Sequence, residues 1–138
     1  MRRHYKEQAE QLFGWLIRSQ FGEFAAGCRP DLVVTVRGSS PVPVTLTRSD
    51  IPDWYGSLQA LSPTVLHSTV ETGRFEGNTG TVLLRHAFSR NGIDYLLEMV
   101  NLVTFRDGLL AEWSSYPLDL PEYSRAWRVY DHSMLASA

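Results

Sequence analysis

The dipeptide Asn91-Gly92 constrains this chain more than any other feature. It stands between TVLLRHAFSR and IDYLLEMVNLVTF, two strand-like runs, and Asn-Gly is the residue pair that a tight two-residue hairpin turn selects. Such a turn fixes register, and with period two a register decides which side chains share a face. Ser89 then faces Asp94, Phe88 faces Tyr95, and Arg85 faces Glu98. Val82, Leu84, His86 and Phe88 fall on one face with Tyr95, Leu97, Met99, Asn101 and Val103. The opposite face carries Arg85 beside Glu98, with Leu83, Leu96, Val100 and Leu102.

Further hairpins flank this one. TVLHSTVETGRF precedes GNTG, and a loop of two or four residues near Gly77-Asn78 adds His67, Thr69 and Glu71 to the His86 face. On the other side, LLAEWSSYPL follows Arg106-Asp107-Gly108, which allows two readings. A two-residue loop puts Asn101 opposite Ser114. A three-residue loop with a bulge at Gly108 puts Asn101 opposite Trp113 and brings Trp113, Ser115 and Asp119 to the His86 face.

Upstream, Tyr5, Ala9, Leu12, Phe13, Leu16, Ile17 and Phe24 recur at helical spacing, so residues 4 to 24 read as one amphipathic helix. LVVTVRG is a strand, and SSPVPV is a proline-rich bend. Asp50 is placed to cap a short helix that buries Trp54, Tyr55 and Leu58 and ends at Pro63. Residues 121–138 form a tail that is irregular or weakly helical. Helix, strand, short helix and four long strands in a meander make an α+β domain with helices packed on a curved antiparallel sheet.

The chain's 138 residues are one domain's worth, 1–138, large enough for a core without staples. A net charge of −2 with no basic cluster speaks against nucleic acid as a partner. LLEMVNLVTF is about half a membrane span, so no membrane helix is expected. The N-terminal MRRHYKEQAEQ lacks the apolar core of a signal peptide, and a cytoplasmic location is expected. The single Cys28 forms no disulfide or metal motif, and the two strand histidines lack a third ligand, so neither metal nor cofactor is expected.

The leading amphipathic helix, PDLVVTVRGSSPV before DWYGSL, and FRDGLLAEW followed by YPLD together resemble the SnoaL-like polyketide cyclase group of the nuclear-transport-factor-2-like superfamily, over roughly residues 5 to 120. The resemblance implies a cone in which a strongly bent sheet wraps helices around a deep pocket. It also implies a homodimer, often made through the outer sheet face. Related proteins commonly bulge at the loop glycine, which favours the three-residue reading of the last turn. Steroid isomerases of this superfamily need a helical Tyr and two pocket Asp. The matching places hold Gly14 or Trp15, Val36 and Asn101, so that isomerisation is not expected.

Three residues are candidates for chemistry. Asp119 resembles the cyclase Asp near the end of the last strand and would act as a general base, or else cap the following turn. His86 could shuttle a proton or orient a carbonyl. Asn101 suits an enolate oxygen, or else is a core amide satisfied by backbone. Trp15, Trp54, His67, Tyr95, Met99, Trp113 and Ser115 are candidate substrate contacts, giving an aromatic pocket for an apolar, polyketide-like molecule. The leading expectation is a cofactor-free enzyme that closes a ring in such a substrate. It would do so by aldol chemistry at Asp119 or by holding the chain in a reactive shape. Epoxide opening is the alternative and would need Glu98 or Glu71 inside the cone beside Asp119. A binding module without catalysis is the third.

Overall fold

A computed structural model describes residues 5–37, 44–59, 67–90, 92–123 and 125. Pro63, the residues of the SSPVPV bend before Val44, the side chain of Leu58 and the tail beyond Arg125 lie outside the described residues. The elements run α1 (Tyr5–Ile17), α2 (Phe21–Ala26), β1 (Cys28–Val36), β2 (Val44–Thr47), a 3-10 turn (Arg48–Asp50), α3 (Ile51–Gln59), β3 (His67–Glu76), β4 (Thr79–Arg90), β5 (Ile93–Arg106) and β6 (Leu109–Pro117). The six strands form one curved sheet in the order β2-β1-β6-β5-β4-β3. The architecture is the expected α+β cone, with two differences in its sheet. β1 pairs with β6 in parallel, so the sheet is mixed and not wholly antiparallel. The chain after the proline-rich segment adds β2, antiparallel to β1, as an edge strand.

The single helix expected over residues 4 to 24 is broken in two. Ser19 takes φ +60, its N–H donates to Leu16 O at 3.0 Å, and Gln20 N–H donates to Trp15 O at 2.9 Å. That pair of bonds is the Schellman closure of a helix, built here on a serine where glycine is usual. The turn re-aims the chain so that Phe24 on α2 reaches the same core as Phe13 on α1, their rings 6.0 Å apart. Asp50 likewise has another job than the one expected. Its Oδ2 accepts the Thr47 N–H and the Thr47 hydroxyl, both at 2.9 Å, so Thr47 opens the 3-10 turn and Asp50 closes its capping box. These bonds hold the Asp50 carboxyl below the usual carboxylate range.

Register follows the hairpin logic until a bulge intervenes. β4 and β5 pair without a slip from Arg90↔Ile93 to Thr79↔Thr104, including Arg85↔Glu98 and Phe88↔Tyr95. The Gly77-Asn78 loop is a two-residue turn, but β3 then bulges: Phe75 pairs with Gly80, whereas Thr72 pairs with Val82. Gly73 and Arg74 together oppose Thr81, and the extra residue reverses the β3 side chains that precede it, from His67 to Thr72. Ser68 and Val70 therefore share the His86 face, and His67, Thr69 and Glu71 are exposed on the other. The last hairpin behaves similarly. Asp107-Gly108 is a two-residue loop with φ 54 and 80, and the bulge lies in β6, where Ala111 is the extra residue between Leu110 and Glu112. Asn101 consequently pairs with Ser115, matching neither expected register, while Trp113 and Ser115 do reach the His86 face.

The core lies between that concave face and the helices. Phe13, Phe24, Tyr55, Phe105 and Trp113 are its largest fully buried side chains. At the β3 bulge the Phe75 ring lies across Gly80, where an added Cβ would overlap ring atoms. Gly80→Ala is expected to displace Phe75 and destabilise the domain by about 1–3 kcal/mol, read as a lower urea midpoint. An unchanged midpoint would mean that the ring is free to move.

Candidate functional site

Inside the cone, Val36 (β1), Trp54 (α3), Leu84 and His86 (β4), Leu97 and Met99 (β5), Ser115 (β6) and Tyr123 line one cavity of about 20 Å³. That is room for about one water molecule. Strand parity delivers the β4, β5 and β6 members, and α3 closes over them. His86, Ser115, Trp54 and Tyr123 are the lining residues that carry a polar group, the surface turned to the cavity is almost wholly apolar, and no carboxylate is among the described lining residues.

His86 is 2% exposed. Its Nδ1 lies 2.7 Å from Ser68 Oγ, and the Tyr55 hydroxyl donates to the same oxygen at 3.5 Å. The Tyr55 ring stands edge-on to the imidazole with centroids 6.0 Å apart. Burial pushes the His86 pKa down to about 4, so the ring is neutral near pH 7. Ser68 was not anticipated from sequence because the β3 bulge exchanges it with His67.

Asn101 occupies the role of a core amide. Its Nδ2 donates to Val82 O and Met99 O, each at 3.0 Å, and its Oδ1 accepts the Trp113 indole N–H at 2.7 Å. The side chain is fully buried, and these bonds occupy both amide protons and the oxygen. Trp113, so held, packs edge-on against Phe13 at 5.0 Å, Phe24 at 5.9 Å and Trp54 at 5.9 Å. It backs the aromatic wall of which Trp54 is the cavity-lining member.

The remaining candidates are dispersed. Asp119 is exposed just beyond β6, where its Oδ1 accepts the Glu122 N–H at 3.1 Å and its carbonyl accepts the Tyr123 N–H at 3.0 Å. It caps the helical turn that carries Tyr123 to the cavity. His67 is exposed on the outer sheet face. Trp15 lines a surface groove of about 350 Å³ between α1 and α2, together with Gln11 and Glu23. Tyr95 is stacked on Phe88 at 5.1 Å and covered by the Arg125 guanidinium at 4.2 Å, away from the cavity. Glu98 and Glu71 sit on the outer face, bound to Arg85 at 3.0 and 2.8 Å. An ion pair so open to solvent adds little stability. Among the described residues, no group of three or more His, Cys, Asp or Glu could hold a metal.

The buried histidine links stability to pH. Its folded pKa of about 4 lies below the ordinary 6.5, so the unfolded chain binds the proton more readily. The contribution is complete above about pH 6.5 and is lost as pH falls towards 4, by about 3 kcal/mol. Urea unfolding across this range should show the loss in the wild type and a shallower slope in His86→Gln. Parallel slopes would place the titration elsewhere.

No family model and no curated protein sequence matches this chain. Solved structures do resemble it. Bal32a, from a soil-derived mobile gene cassette, matches with a TM-score of 0.76 at 11% identity over 89% of this chain and 95% of its own. An NTF2-like protein from Burkholderia thailandensis matches with 0.71 at 15% identity over 92% and 98%. A candidate SnoaL-like polyketide cyclase from Jannaschia matches with 0.66 at 17% identity over 83% and 85%. With a bent sheet wrapped on helices and a cavity inside the bend, the chain has the nuclear-transport-factor-2-like fold that SnoaL-like polyketide cyclases share.

Proposed function

We propose that this chain binds an apolar, polyketide-like small molecule in the cone and closes a ring in it by holding it in a reactive conformation, without a carboxylate acid or base. The observation that carries this reading is the lining of the cavity. His86 and Ser115 are buried polar groups set among Val36, Leu84, Leu97 and Met99, while Asp119, Glu98 and Glu71 lie outside. A neutral imidazole and a hydroxyl can hydrogen-bond to a carbonyl oxygen as charge develops there. Proximity then supplies the rate, since well-oriented intramolecular partners gain several powers of ten in effective concentration. Aldol chemistry with Asp119 as base is not supported by its exposed, capping position. Epoxide opening is disfavoured because it needs a carboxylate to activate water and an acid beside it.

The likeness to a candidate SnoaL-like cyclase supports the class of ligand. A second reading is a module without catalysis, since a cavity of about 20 Å³ has to enlarge before any chain-length molecule can enter it, whether to react or only to bind. The two readings separate when linear poly-β-carbonyl chains are incubated with the protein and cyclised isomers are followed by chromatography and mass spectrometry. Cyclisation above the uncatalysed rate is expected. Asp119→Asn should leave it within about twofold, whereas His86→Phe should lower it by roughly 10- to 100-fold, at or below the usual loss for one oxyanion donor. Ligand-induced thermal stabilisation with no cyclised product would favour the binding module. A large loss in Asp119→Asn would restore the aldol mechanism.

The outer sheet face supports the proposal of a homodimer. Val33, Leu96 and Leu102 are 49%, 41% and 45% exposed there, beside the Glu71–Arg85–Glu98 ion-pair network. Exposed apolar side chains on one sheet face offer a surface on which two copies could pair. Sedimentation should report a dimer for the wild type and a monomer for Leu102→Glu; a monomeric wild type rejects this interface.

A further inference from the structure

Three side chains from three elements meet behind the cavity: Tyr55 from α3, Ser68 from β3 and His86 from β4. Sequence periodicity brings none of them together, and cavity binding by itself does not require the first two. Their order of donation is what gives them a role. Tyr55 is 1% exposed and its hydroxyl donates to Ser68 Oγ at 3.5 Å. Ser68 Oγ lies 2.7 Å from His86 Nδ1, and a serine hydroxyl has one proton to give.

Two arrangements of protons are possible on such a chain. If Nδ1 carried the imidazole proton, Ser68 would accept from both neighbours. Among the described residues its own proton would then have no acceptor. If Ser68 donates to Nδ1, the hydroxyl protons of Tyr55 and Ser68 are both used, and the single proton of the neutral ring falls on Nε2, the ring atom without a partner among the described residues. The first arrangement leaves two groups unmatched among the described residues, the Ser68 proton and the Nε2 lone pair, and the second leaves one, the Nε2–H, so the second is the more stable.

We infer that Tyr55 and Ser68 are positioning residues that fix His86 as the Nε2–H tautomer, so that it presents a hydrogen-bond donor, and not a base, to a carbonyl or enolate oxygen of the ligand. The inference rests on the reading of the cavity as the ligand site and names what His86 does there. With Nδ1 occupied by Ser68 and Nε2 protonated, the ring has no lone pair to take a proton from carbon. It can only stabilise negative charge growing on oxygen. The Tyr55 ring, edge-on to the imidazole, adds a second restraint on the ring plane. The recognised chemistry is therefore a polar oxygen on an otherwise apolar molecule, met by a fixed neutral donor.

The tautomer is measurable without any ligand. In ¹⁵N-labelled full-length protein near pH 7, long-range ¹H–¹⁵N correlations of the His86 ring should show one pattern, protonated at Nε2 and bare at Nδ1. Ser68→Ala should lose that single pattern and admit the Nδ1–H form, and Ser68→Thr, which keeps a hydroxyl, should restore it. Amide spectra of each variant establish that it is folded. Protonation at Nδ1 in the wild type overturns the inference, as does an unchanged pattern in folded Ser68→Ala. Because no substrate enters the measurement, a failure to cyclise poly-β-carbonyl chains leaves this result standing, and a wrong tautomer leaves cyclisation by shape standing.

Discussion

The Asn101 carboxamide is the interaction on which the interior depends. One side chain on β5 donates to a β4 carbonyl and to a carbonyl of its own strand, and it accepts from an indole on β6. It ties three adjacent strands together on the concave face, where each polar atom must find a partner or incur a large desolvation cost. Trp113 could not otherwise be fully buried, because its N–H would be stranded. With the indole fixed, the aromatic rings of α1, α2 and α3 have a common surface to pack on, and the cavity beside Trp54 acquires its rear wall.

Much of this was legible in sequence, for a physical reason. Hairpin turns impose register locally, so Asn91-Gly92 placed Arg85 opposite Glu98 and Phe88 opposite Tyr95 without tertiary information. What failed were positions separated from their turn by a bulge. A bulge inserts one residue and reverses the parity of a strand, and its cause is packing, such as Phe75 covering Gly80, which no alternation pattern reveals. His67 and Ser68 exchange faces on that account. Trp113 and Ser115 reach the inner face by a bulge at Ala111, not at the turn where one was expected. The break at Ser19 was hidden because the apolar spacing continues across it, and a left-handed serine leaves no compositional mark.

The site's chemistry was less legible than its location. Asp119, Glu98 and Glu71 each looked plausible as a pocket acid by residue type. Each has instead found a partner at the surface: a backbone N–H for the first and the Arg85 guanidinium for the other two. Carboxylates are costly to bury, and a sheet whose outer face offers a cation draws them there. The concave face keeps polar groups that are neutral and can be satisfied by one or two hydrogen bonds. Shape and dipoles are what such a lining has to offer a bound molecule.

The parallel pairing of β1 with β6 has a consequence for how the chain acquires its structure. Val34 pairs with Trp113, and Gly27 O receives the N–H of Leu110. Every contact of that kind joins the first quarter of the polypeptide to nearly the last strand made. During synthesis the β3–β4–β5 meander can form from neighbouring hairpins as it emerges, while the apolar faces of α1 and β1 wait for residues 109–117. The ribosome thus releases the closing strand of the sheet late, and until it arrives the amino-terminal segment is the part of the molecule most in need of protection from other chains.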